Sequence, residues 1–465
     1  MPKLELIEEV ISKTDIGEKC SINGRVMNMR KHKERIFMDV GDYTGKIQLV
    51  LEKKDYPNLF EEFSAVTSGT YISSEGTLVE NNRQTKEIKI DRLEILAKSI
   101  LPVNPTPWQI NGLDPQHGSQ VFGYPEFYLS NPQRAAVLRI KTNFINALHE
   151  YFQNNNFTLV EPPIITNKTL YGKGNAISAS VHGEDVFLSQ CATFELEPLA
   201  MAFGKVYTIS PAFRNEPSGS KRHLSEYTHT KAELLLANLE DLMFLAGDSL
   251  HSSLVKTIEK SQRELSLIGK EINPDGIKPG NQEIMTYDEA LKITKRKGSI
   301  TEHGNGLTRN DEIILTEHLG QKYVWVQFPP FTSEGFPYKR HPENPDLSMT
   351  CDLIAPHGAG EMVGVAEKIT DSEELIKNII EKGLKEDIKE YWNYILLRHY
   401  GLPPHGGIGA APERILYGLL ELDHIRLTKP WPRYPDRKIR ATRQMELNPW
   451  KDNRLEELIK KYEIG

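Results

Sequence analysis

The feature that most constrains the fold is a change of pattern across a proline-bearing segment at residues 101–107, Leu-Pro-Val-Asn-Pro-Thr-Pro. Before this segment, short apolar runs alternate with turn residues, whereas after it strands alternate with long helical stretches. Proline fixes φ and removes a backbone donor, so regular structure does not continue through the segment. A chain of 465 residues is also too long for one compact domain. The sequence therefore predicts two main domains joined by a linker at residues 101–130.

The N-terminal region, residues 1–100, reads as a small β-domain. A turn at residues 41–45, Gly-Asp-Tyr-Thr-Gly, separates two of its apolar runs and is typical of a hairpin loop. Five short strands within one such region favour a closed barrel of the OB-fold type. The predicted strands cover residues 20–29, 36–40, 46–51, 71–78 and 88–96.

The region after the linker, residues 131–437, reads as an α+β domain. It begins with a helical stretch at residues 131–153, and strand clusters separated by helices follow. This order favours an antiparallel sheet flanked by helices. Residues 438–465 are polar and charged, and they are expected to form a C-terminal extension with a surface helix at residues 453–462.

The bulk composition is that of an ordinary globular enzyme, with 38% apolar residues, 26% charged residues and a net charge of −7. No apolar run approaches the roughly 20 residues that a membrane span needs, and residues 1–5 show no signal region, so we expect a cytoplasmic protein. The three cysteines form no CxxC pair, which indicates neither a zinc site nor a disulfide framework. Because the chain is acidic, a nucleic-acid partner must bind a local basic patch.

Two distant segments place arginine beside small residues and a carboxylate. The first is residues 213–216, Phe-Arg-Asn-Glu, followed by residues 222–224, Arg-His-Leu; the second is residues 407–409, Gly-Ile-Gly, which leads to Glu-Arg at 413–414. Arginines with a carboxylate-held Mg²⁺ are the usual means of offsetting the charge of a triphosphate. The alternative is that these residues form surface ion pairs, but the combination favours an ATP site.

Together the two segments resemble motifs 2 and 3 of class II aminoacyl-tRNA synthetases, and the chain is nearest in pattern to the asparaginyl type of class IIb. The resemblance implies an ATP-dependent ligase that forms an aminoacyl-adenylate and transfers the aminoacyl group to tRNA. Arg214 and Arg414 are then the catalytic arginines: the first contacts the α-phosphate and the substrate carboxylate, and the second stacks on adenine.

The same resemblance implies further ATP contacts. Glu216 and Arg222 serve the adenine and the outer phosphates, and His223 serves the γ-phosphate. Tyr227 lies under the purine, and Gly409 belongs to the small-residue segment of motif 3. In that motif the third small position is Ala411, followed by a proline that can begin the next helix.

Asp352 and Glu361 are the candidate Mg²⁺ ligands, because one ends a predicted strand and the other follows the turn at residues 357–360. Two acids that converge on one phosphate are what Mg²⁺ requires. The alternative is a solvated loop acid. ATP and Mg²⁺ are therefore the expected cosubstrate and cofactor.

In the N-terminal domain, Phe37 and Gln48 lie on adjacent predicted strands. By resemblance they stack on and hydrogen-bond the central anticodon base, as an aromatic platform with a polar neighbour suits an unpaired base. The alternative is that Phe37 packs in the barrel core. Pro163 follows a helix as in the dimer-forming motif 1, so the resemblance also implies a homodimer that binds tRNA and a small amino or carboxylic acid.

The substrate pocket departs from the family. Leu196 replaces the lysine that pairs with aspartate in aspartyl enzymes, which favours the asparaginyl type. However, Tyr171, Thr193, Lys231 and Lys368 stand where the family has glutamate, glutamine, an acid and arginine. Replacing acids by Tyr and Lys removes attraction for an ammonium group. The complete predicted acyl pocket is Tyr171, Gln190, Thr193, Leu196, Lys231, Glu367 and Lys368.

Three hypotheses follow from these observations. The first is an aminoacyl-tRNA ligase of the asparaginyl type, for which the resemblance implies asparagine as the default substrate and the pocket departures favour an altered amino-acid specificity. The second is a synthetase-derived enzyme that adenylates a different carboxylic acid and transfers it to a small amine without tRNA. The third is a non-catalytic regulator, which the retention of both motif arginines makes the least favoured.

Overall fold

A computed structural model describes residues 6–81, 83–99, 107–123, 125–215 and 220–434. The described residues form two compact units that divide between Ala136 and Val137. The predicted domain boundaries at residues 100, 130 and 437 stay predictions. The predicted helix at residues 453–462 lies outside the described residues, as does most of the proline-bearing segment.

The first unit contains a closed five-stranded barrel with strand order β1-β2-β3-β5-β4. All neighbouring strands are antiparallel except β3 and β5, which are parallel. Each of the five strands predicted from alternation is present, with ends at the predicted residue or up to two residues further out. The strands are β1 (Lys19–Lys31), β2 (Arg35–Gly41), β3 (Lys46–Glu52), β4 (Tyr71–Glu80) and β5 (Lys86–Ala97).

The barrel closes because apolar residues alternate along each strand. On β2, Ile36, Met38 and Val40 are fully buried, and Phe37 between them faces outward. The sequence did not reveal two helices that pack on this barrel, since both are short. The helices of the unit are α1 (Ile7–Lys13), α2 (Pro57–Ser64), α3 (Gly118–Gly123) and α4 (Pro125–Tyr128); α5 (Pro132–Asn154) runs across the division between the units.

The second unit is built on an eight-stranded sheet with the order β12-β13-β14-β15-β16-β11-β10-β6. Its central strands are antiparallel, and only the two edge pairs, β12–β13 and β6–β10, are parallel. The sheet strands are β6 (Thr158–Leu159), β10 (Lys205–Phe213), β11 (Glu226–Leu235), β12 (Glu283–Thr286), β13 (Val324–Gln327), β14 (Thr350–Ala355), β15 (Gly360–Glu367) and β16 (His405–Ala410). A separate three-stranded sheet consists of β7 (Ile165–Thr166), β8 (Ile177–Val181) and β9 (Glu184–Leu188).

Helices cover the large sheet, and several begin at the caps their sequences supply. Asn238 with Asp241 forms a capping box at the start of α7, and Thr308 with Asp311 does the same for α10. The helix that carries Arg414 begins at Pro412, as the sequence predicts. The helices of this unit are α6 (Thr193–Phe203), α7 (Leu239–Lys260), α8 (Gln262–Ile268), α9 (Tyr287–Arg296), α10 (Arg309–His318), α11 (Ser372–Glu381), α12 (Trp392–His399) and α13 (Pro412–Leu419).

Two predicted placements differ from the structure. Arg214, which the sequence predicts to lie on a strand, lies one residue beyond the end of β10. Asp352 lies inside β14 instead of at its end, because the strand continues to Ala355. Among the described residues, no helix combines the length and the apolar character that crossing a membrane requires.

Candidate active site

Two adjoining cavities lie over the central strands of the large sheet, with volumes of about 110 Å³ and about 370 Å³. Four residues line both of them: Arg214, His229, Glu361 and Gly409. The smaller cavity contains the predicted nucleotide residues Arg222, His223, Tyr227 and Arg414. The larger one contains Tyr171, Lys231, Asp352 and Lys368. The fold thus brings segments separated by up to about 240 residues to one continuous site.

Glycines form the floor that both cavities share. In the sheet register Gly409 pairs with Lys231 on one side and with Gly364 on the other. A Cβ added at Gly409 would lie 3.1 Å from His229 Nε2, and one at Gly364 would lie 3.0 Å from Asp352 Oδ1. Side chains at these two positions would fill the space above the sheet, so glycine at both positions leaves room for a ligand.

Arg214 lies between two aromatic rings at the junction of the cavities. Its guanidinium carbon is 5.0 Å from the centroid of Tyr171 and 5.7 Å from that of Tyr227. The backbone N–H of Arg214 donates to the carbonyl of Ser225 at 2.9 Å, which ties the strand end to the returning chain. A planar cation held between two rings is fixed in direction and keeps its charge.

The outer part of the nucleotide cavity is strongly basic. Burial, together with Arg414, Arg222 and Arg214, lowers the pKa of His223 to about 4. His223 is therefore neutral near pH 7. Arg222 Nη1 forms an ion pair with Glu312 Oε2 at 2.6 Å, so a residue from α10 holds the arginine in place.

The helix that carries Arg414 is anchored by the residue before it. Glu413 is fully buried and accepts bonds from Lys141 Nζ at 2.6 Å and from Thr228 Oγ1 at 2.7 Å. Lys429 Nζ lies 3.2 Å from the same carboxylate. The alternative of a surface ion pair is therefore wrong for Glu413. Arg414 Nη1 donates to the carbonyl of Glu361 at 3.3 Å, which directs it across the nucleotide cavity.

Three acids meet on the other side of the floor. A Cβ at Gly364 would lie 3.0 Å from Asp352 Oδ1 and 3.5 Å from Glu361 Oε1, so the two predicted metal ligands converge. Burial and Glu361 raise the pKa of Glu334 to about 7, and burial, Glu361 and Glu334 raise the pKa of Asp352 well above its ordinary value. Mutual repulsion of carboxylates that line the same cavity is relieved by a divalent cation, so this oxygen donor set fits Mg²⁺.

A second cluster, of two acids and one histidine, does not fit a metal ion. Ligand atoms of Glu197, Glu233 and His405 lie within 4.8 Å of one another. However, Arg398 Nη2 already binds Glu197 at 2.7 Å, and Lys368 Nζ lies 3.9 Å from the same carboxylate. A cation in this cluster would meet these positive charges, so the group serves as an internal ion-pair network.

The wall of the acyl cavity contains a buried lysine with unusual partners. Lys231 Nζ lies 2.9 Å from Cys191 Sγ and 2.5 Å from Thr193 Oγ1. Burial opposes the charged form, but Cys191 and Glu233 raise the pKa of Lys231. For Cys191, burial favours the neutral thiol, but the Lys231 ammonium lowers the pKa of that thiol. The wall thus carries an ammonium group beside an acidic thiol.

Several predicted residues lie just behind the cavity lining. Gln190 Oε1 accepts from the backbone N–H of Tyr171 at 3.1 Å, and Glu367 accepts from Lys339 Nζ at 2.7 Å. Leu196 packs in a core cluster with Ala200 and neighbouring apolar residues. Glu216 lies outside the described residues. The roles predicted for all these side chains stay predictions.

A family model described as "tRNA synthetases class II (D, K and N)" matches residues 122–435, and one described as "OB-fold nucleic acid binding domain" matches residues 20–96. The first match covers more than half of the chain. The chain belongs to the class II tRNA synthetase family. The α+β fold and the N-terminal OB-fold barrel predicted from the sequence are confirmed, as is the membership of a family of ligases.

This synthetase is similar over most of its length to curated relatives. An asparagine–tRNA ligase of Desulforamulus reducens is 32% identical over 421 residues, which cover 90% of this chain and 96% of the relative. One of Pyrococcus furiosus is 28% identical over 426 residues, with 90% and 96% covered. The asparaginyl-tRNA synthetase of Pyrococcus horikoshii complexed with asparaginyl-adenylate has a TM-score of 0.86 at 27% identity, covering 94% of this chain and 100% of that one. The predicted resemblance to the asparaginyl type is confirmed.

Sequence reasoning missed four residues that line the acyl side of the synthetase site. Cys191, His229, Glu334 and Tyr338 all face the larger cavity. His229 was discoverable, because it lies two residues before Lys231 on the same strand and therefore on the same face. The other three lie outside regular helices and strands, where no periodicity indicates the direction of a side chain.

The barrel of this synthetase presents both predicted anticodon residues on its outer surface. Phe37 is half-buried and packs edge-on to His32, with ring centroids 5.6 Å apart, and the Arg30 guanidinium lies 5.8 Å from its ring. Gln48 donates to Glu87 at 2.8 Å. The alternative that Phe37 packs in the barrel core is wrong, because Ile36 and Met38 on either side of it occupy that core.

Proposed function

We propose that this synthetase is an ATP-dependent aminoacyl-tRNA ligase of the asparaginyl type. It adenylates an amino acid with the carbon skeleton of asparagine and transfers the aminoacyl group to tRNA. The observation that carries this proposal is the junction of the two cavities at Arg214, where a nucleotide and a small acid would meet. The similarity to asparagine–tRNA ligases along 90% of the chain supports it.

The chemistry follows from the charges around this junction. Attack of a substrate carboxylate on the α-phosphate brings two anionic groups together, and Arg214, fixed between Tyr171 and Tyr227, offsets both. Arg414 stacks on adenine, and Arg222 with neutral His223 binds the outer phosphates. Catalysis comes from positioning and charge stabilisation, with no covalent bond to the enzyme.

Asp352 and Glu361 hold Mg²⁺, and Glu334 completes the oxygen donors on that side. When bound, the ion offsets the charge of the triphosphate and of the pyrophosphate that leaves. The raised pKa values of Asp352 and Glu334 support this assignment, because these acids need a cation to ionise together.

The outer surface of the barrel binds the tRNA anticodon. The exposed edge of Phe37 offers a stacking platform, and the side chain of Gln48 offers hydrogen bonds to a base edge. Arg30 beside the ring, with the exposed residues Lys31 and Lys33, provides positive charge for phosphates.

The chain acts as a homodimer. An apolar groove of about 570 Å³ contains Pro163 of the predicted motif 1, and Leu397 and Tyr400 line it. Tyr400 is 70% exposed and Ile165 nearby is 51% exposed. Large apolar side chains that are clustered and exposed favour a protein interface. Light scattering with chromatography tests this part of the proposal.

The experiment that tests the function is ATP–pyrophosphate exchange with each common amino acid, followed by charging of total tRNA. Exchange with an acid of the asparagine skeleton, together with charging of tRNA, is the expected result. Exchange without charging would overturn the tRNA acceptor, and absence of exchange with every amino acid would overturn the ligase assignment. The similarity of the whole chain to tRNA ligases does not favour the alternative of a tRNA-independent paralogue.

A further inference from the structure

The acyl cavity contains one lysine whose charge lacks a carboxylate partner in the described part of the chain. Lys231 is only 5% exposed, and its Nζ bonds Cys191 Sγ and Thr193 Oγ1, which are a thiol and a hydroxyl. Its acidic partner is the Cys191 thiol, whose pKa the Lys231 ammonium lowers, and no carboxylate pairs with it directly among the described residues. The third N–H of such a group is available to a ligand, because Lys231 lines the cavity.

A second lysine beside the cavity is only partly neutralised. Lys368 Nζ lies 3.9 Å from Glu197 and 4.7 Å from the centroid of the Tyr338 ring. The Glu197 carboxylate is already bound by Arg398 at 2.7 Å and lies 3.3 Å from His405 Nε2. One carboxylate therefore faces three basic groups, and Lys368 holds the most distant position.

The remaining acid nearby supplies little compensation. Glu233 is fully buried, and neither of its carboxylate oxygens has a hydrogen-bond partner among the described residues. Burial raises the pKa of Glu233, Lys368 opposes this effect, and the neighbouring Glu197 raises the pKa further. Glu233 therefore offsets the two lysines less than an ordinary ionised carboxylate would.

The hydrogen-bonding capacity of this wall also decides between ligands. A side-chain amide needs one acceptor for its NH₂ group and one donor for its oxygen, whereas a carboxylate needs donors only. The ammonium groups of Lys231 and Lys368 can only donate hydrogen bonds, and both line the larger cavity. Two donor groups on one wall favour a ligand group with two oxygens, such as a carboxylate.

We propose that the acyl site selects a carboxylic acid that carries a second anionic group, with Lys231 as the residue that determines this specificity. The inference rests on the proposed function, since it concerns the acid that the same site adenylates. Arg214 takes the carboxylate that reacts with ATP, and Lys231, with Lys368 beside it, takes the second carboxylate. Leu196 on α6 carries no charge, so the positive charge of this wall comes from Lys231 on β11.

The test uses four acids of one carbon skeleton in ATP–pyrophosphate exchange with Mg²⁺: asparagine, aspartate, succinamate and succinate. The set varies the terminal group and the ammonium group independently. Each acid with a second carboxylate is expected to exceed its amide counterpart in kcat/KM by about tenfold or more. Lys231→Met is expected to abolish this ratio and Lys231→Glu to reverse it. Lys322→Met, at an exposed lysine paired with Glu283 away from both cavities, is the control and should leave it unchanged.

A variant with Cys191 replaced distinguishes the lysine from its thiol partner. Cys191→Ala removes the acidic thiol without removing the ammonium, so the preference for the second carboxylate should be kept or increased. Loss of the preference in this variant would overturn the role of Lys231 as the determinant, and so would an unchanged ratio in folded Lys231→Met.

The outcomes also separate this inference from the proposed function. If the unaltered protein prefers asparagine to aspartate and succinamate to succinate, the inference is overturned and the ligase assignment stands. If it shows no exchange with any of these acids or with any common amino acid, the proposed function itself fails. The ratio is measured in the unaltered protein, so the test of the inference does not depend on whether any variant folds.

Discussion

The buried ion pair that anchors the motif 3 helix allows a quantitative prediction. Glu413 is fully buried, and its carboxylate lies 2.6 Å from Lys141 Nζ and 3.2 Å from Lys429 Nζ. Glu413→Gln keeps the shape of the side chain but removes its charge. The Lys141 side chain is only 11% exposed, so it would be left as an uncompensated buried cation. Breaking such a pair costs about 3–5 kcal/mol.

The same substitution should lower activity only by changing the position of Arg414. Glu413 also accepts from the backbone N–H of Thr228 at 3.1 Å, which ties the start of α13 to β11. Loosening this contact would move Arg414 relative to the floor of the nucleotide cavity. We expect the KM for ATP to rise more than the KM for the amino acid, because Arg414 lines the nucleotide cavity and does not line the acyl cavity.

Urea unfolding followed by tryptophan fluorescence is the assay, since Trp325 is buried on β13 of the large sheet. With an m-value of about 3 kcal/mol/M, a loss of about 3 kcal/mol moves the midpoint by about 1 M. The matched control is Glu150→Gln, which breaks an exposed pair of the same 2.6 Å length with Lys256. It should leave the midpoint nearly unchanged.

The pH dependence of this difference has a definite sign. Burial opposes ionisation, but Lys141 and Lys429 lower the pKa of Glu413 below its ordinary value of 4.5. A carboxylate with a lowered folded-state pKa contributes stability that is present above its unfolded pKa and is lost as the pH falls through the folded pKa. The difference between Glu413→Gln and the unaltered protein should therefore be complete at pH 7 and shrink below about pH 4. Equal midpoints for Glu413→Gln and Glu150→Gln at pH 7 would refute the reasoning.

Four further predictions concern the site itself. Arg214→Ala should lower the rate of ATP–pyrophosphate exchange by about 10²–10³-fold, and Arg214→Lys should recover only part of it; near-normal exchange in the alanine variant would contradict the assignment. Asp352→Asn should raise the Mg²⁺ concentration needed for half-maximal exchange, with no change in a Mg²⁺-independent property such as thermal stability in chelator. The pKa of Glu334 is raised to about 7, so the apparent affinity for Mg²⁺ should increase as the pH rises through 7, and Glu334→Gln should flatten this dependence. Phe37→Ala should raise the KM for tRNA in charging while exchange without tRNA stays unchanged; an equal effect on both would argue for a structural role.

The five strands of the barrel could be predicted because their signal is local. Alternation of apolar residues along each strand is visible in the sequence, and it selects the strand residues of the barrel core, which also contains Ile7 and Val10 of α1 and Phe60 and Phe63 of α2. The ends of the strands differ from the predicted ends by up to two residues, because hydrogen bonds to neighbouring strands decide where a strand stops. The short helices α1 and α2 were missed for a similar reason: seven or eight residues carry too little periodicity.

The nucleotide side of the site could also be predicted from the sequence, because its residues lie in two short segments that carry family motifs. The position of Arg214 after the strand end, and the burial of Glu413 against Lys141, depended on packing between elements that are distant in sequence. The resemblance identified the residues of the nucleotide site. It did not indicate that Glu413 anchors the helix or that Glu312 holds Arg222.

The sequence by itself determined the barrel, the α+β class, the synthetase motifs and the departures at positions 171, 193, 231 and 368, since each is a property of a short segment. Only the tertiary structure decided what those departures do. Lys231 meets Cys191 and Thr193, and Glu334 joins Asp352 and Glu361, through contacts between segments that lie far apart in the chain. Charge balance in a buried site depends on which groups are close in space, and a linear sequence does not contain those distances.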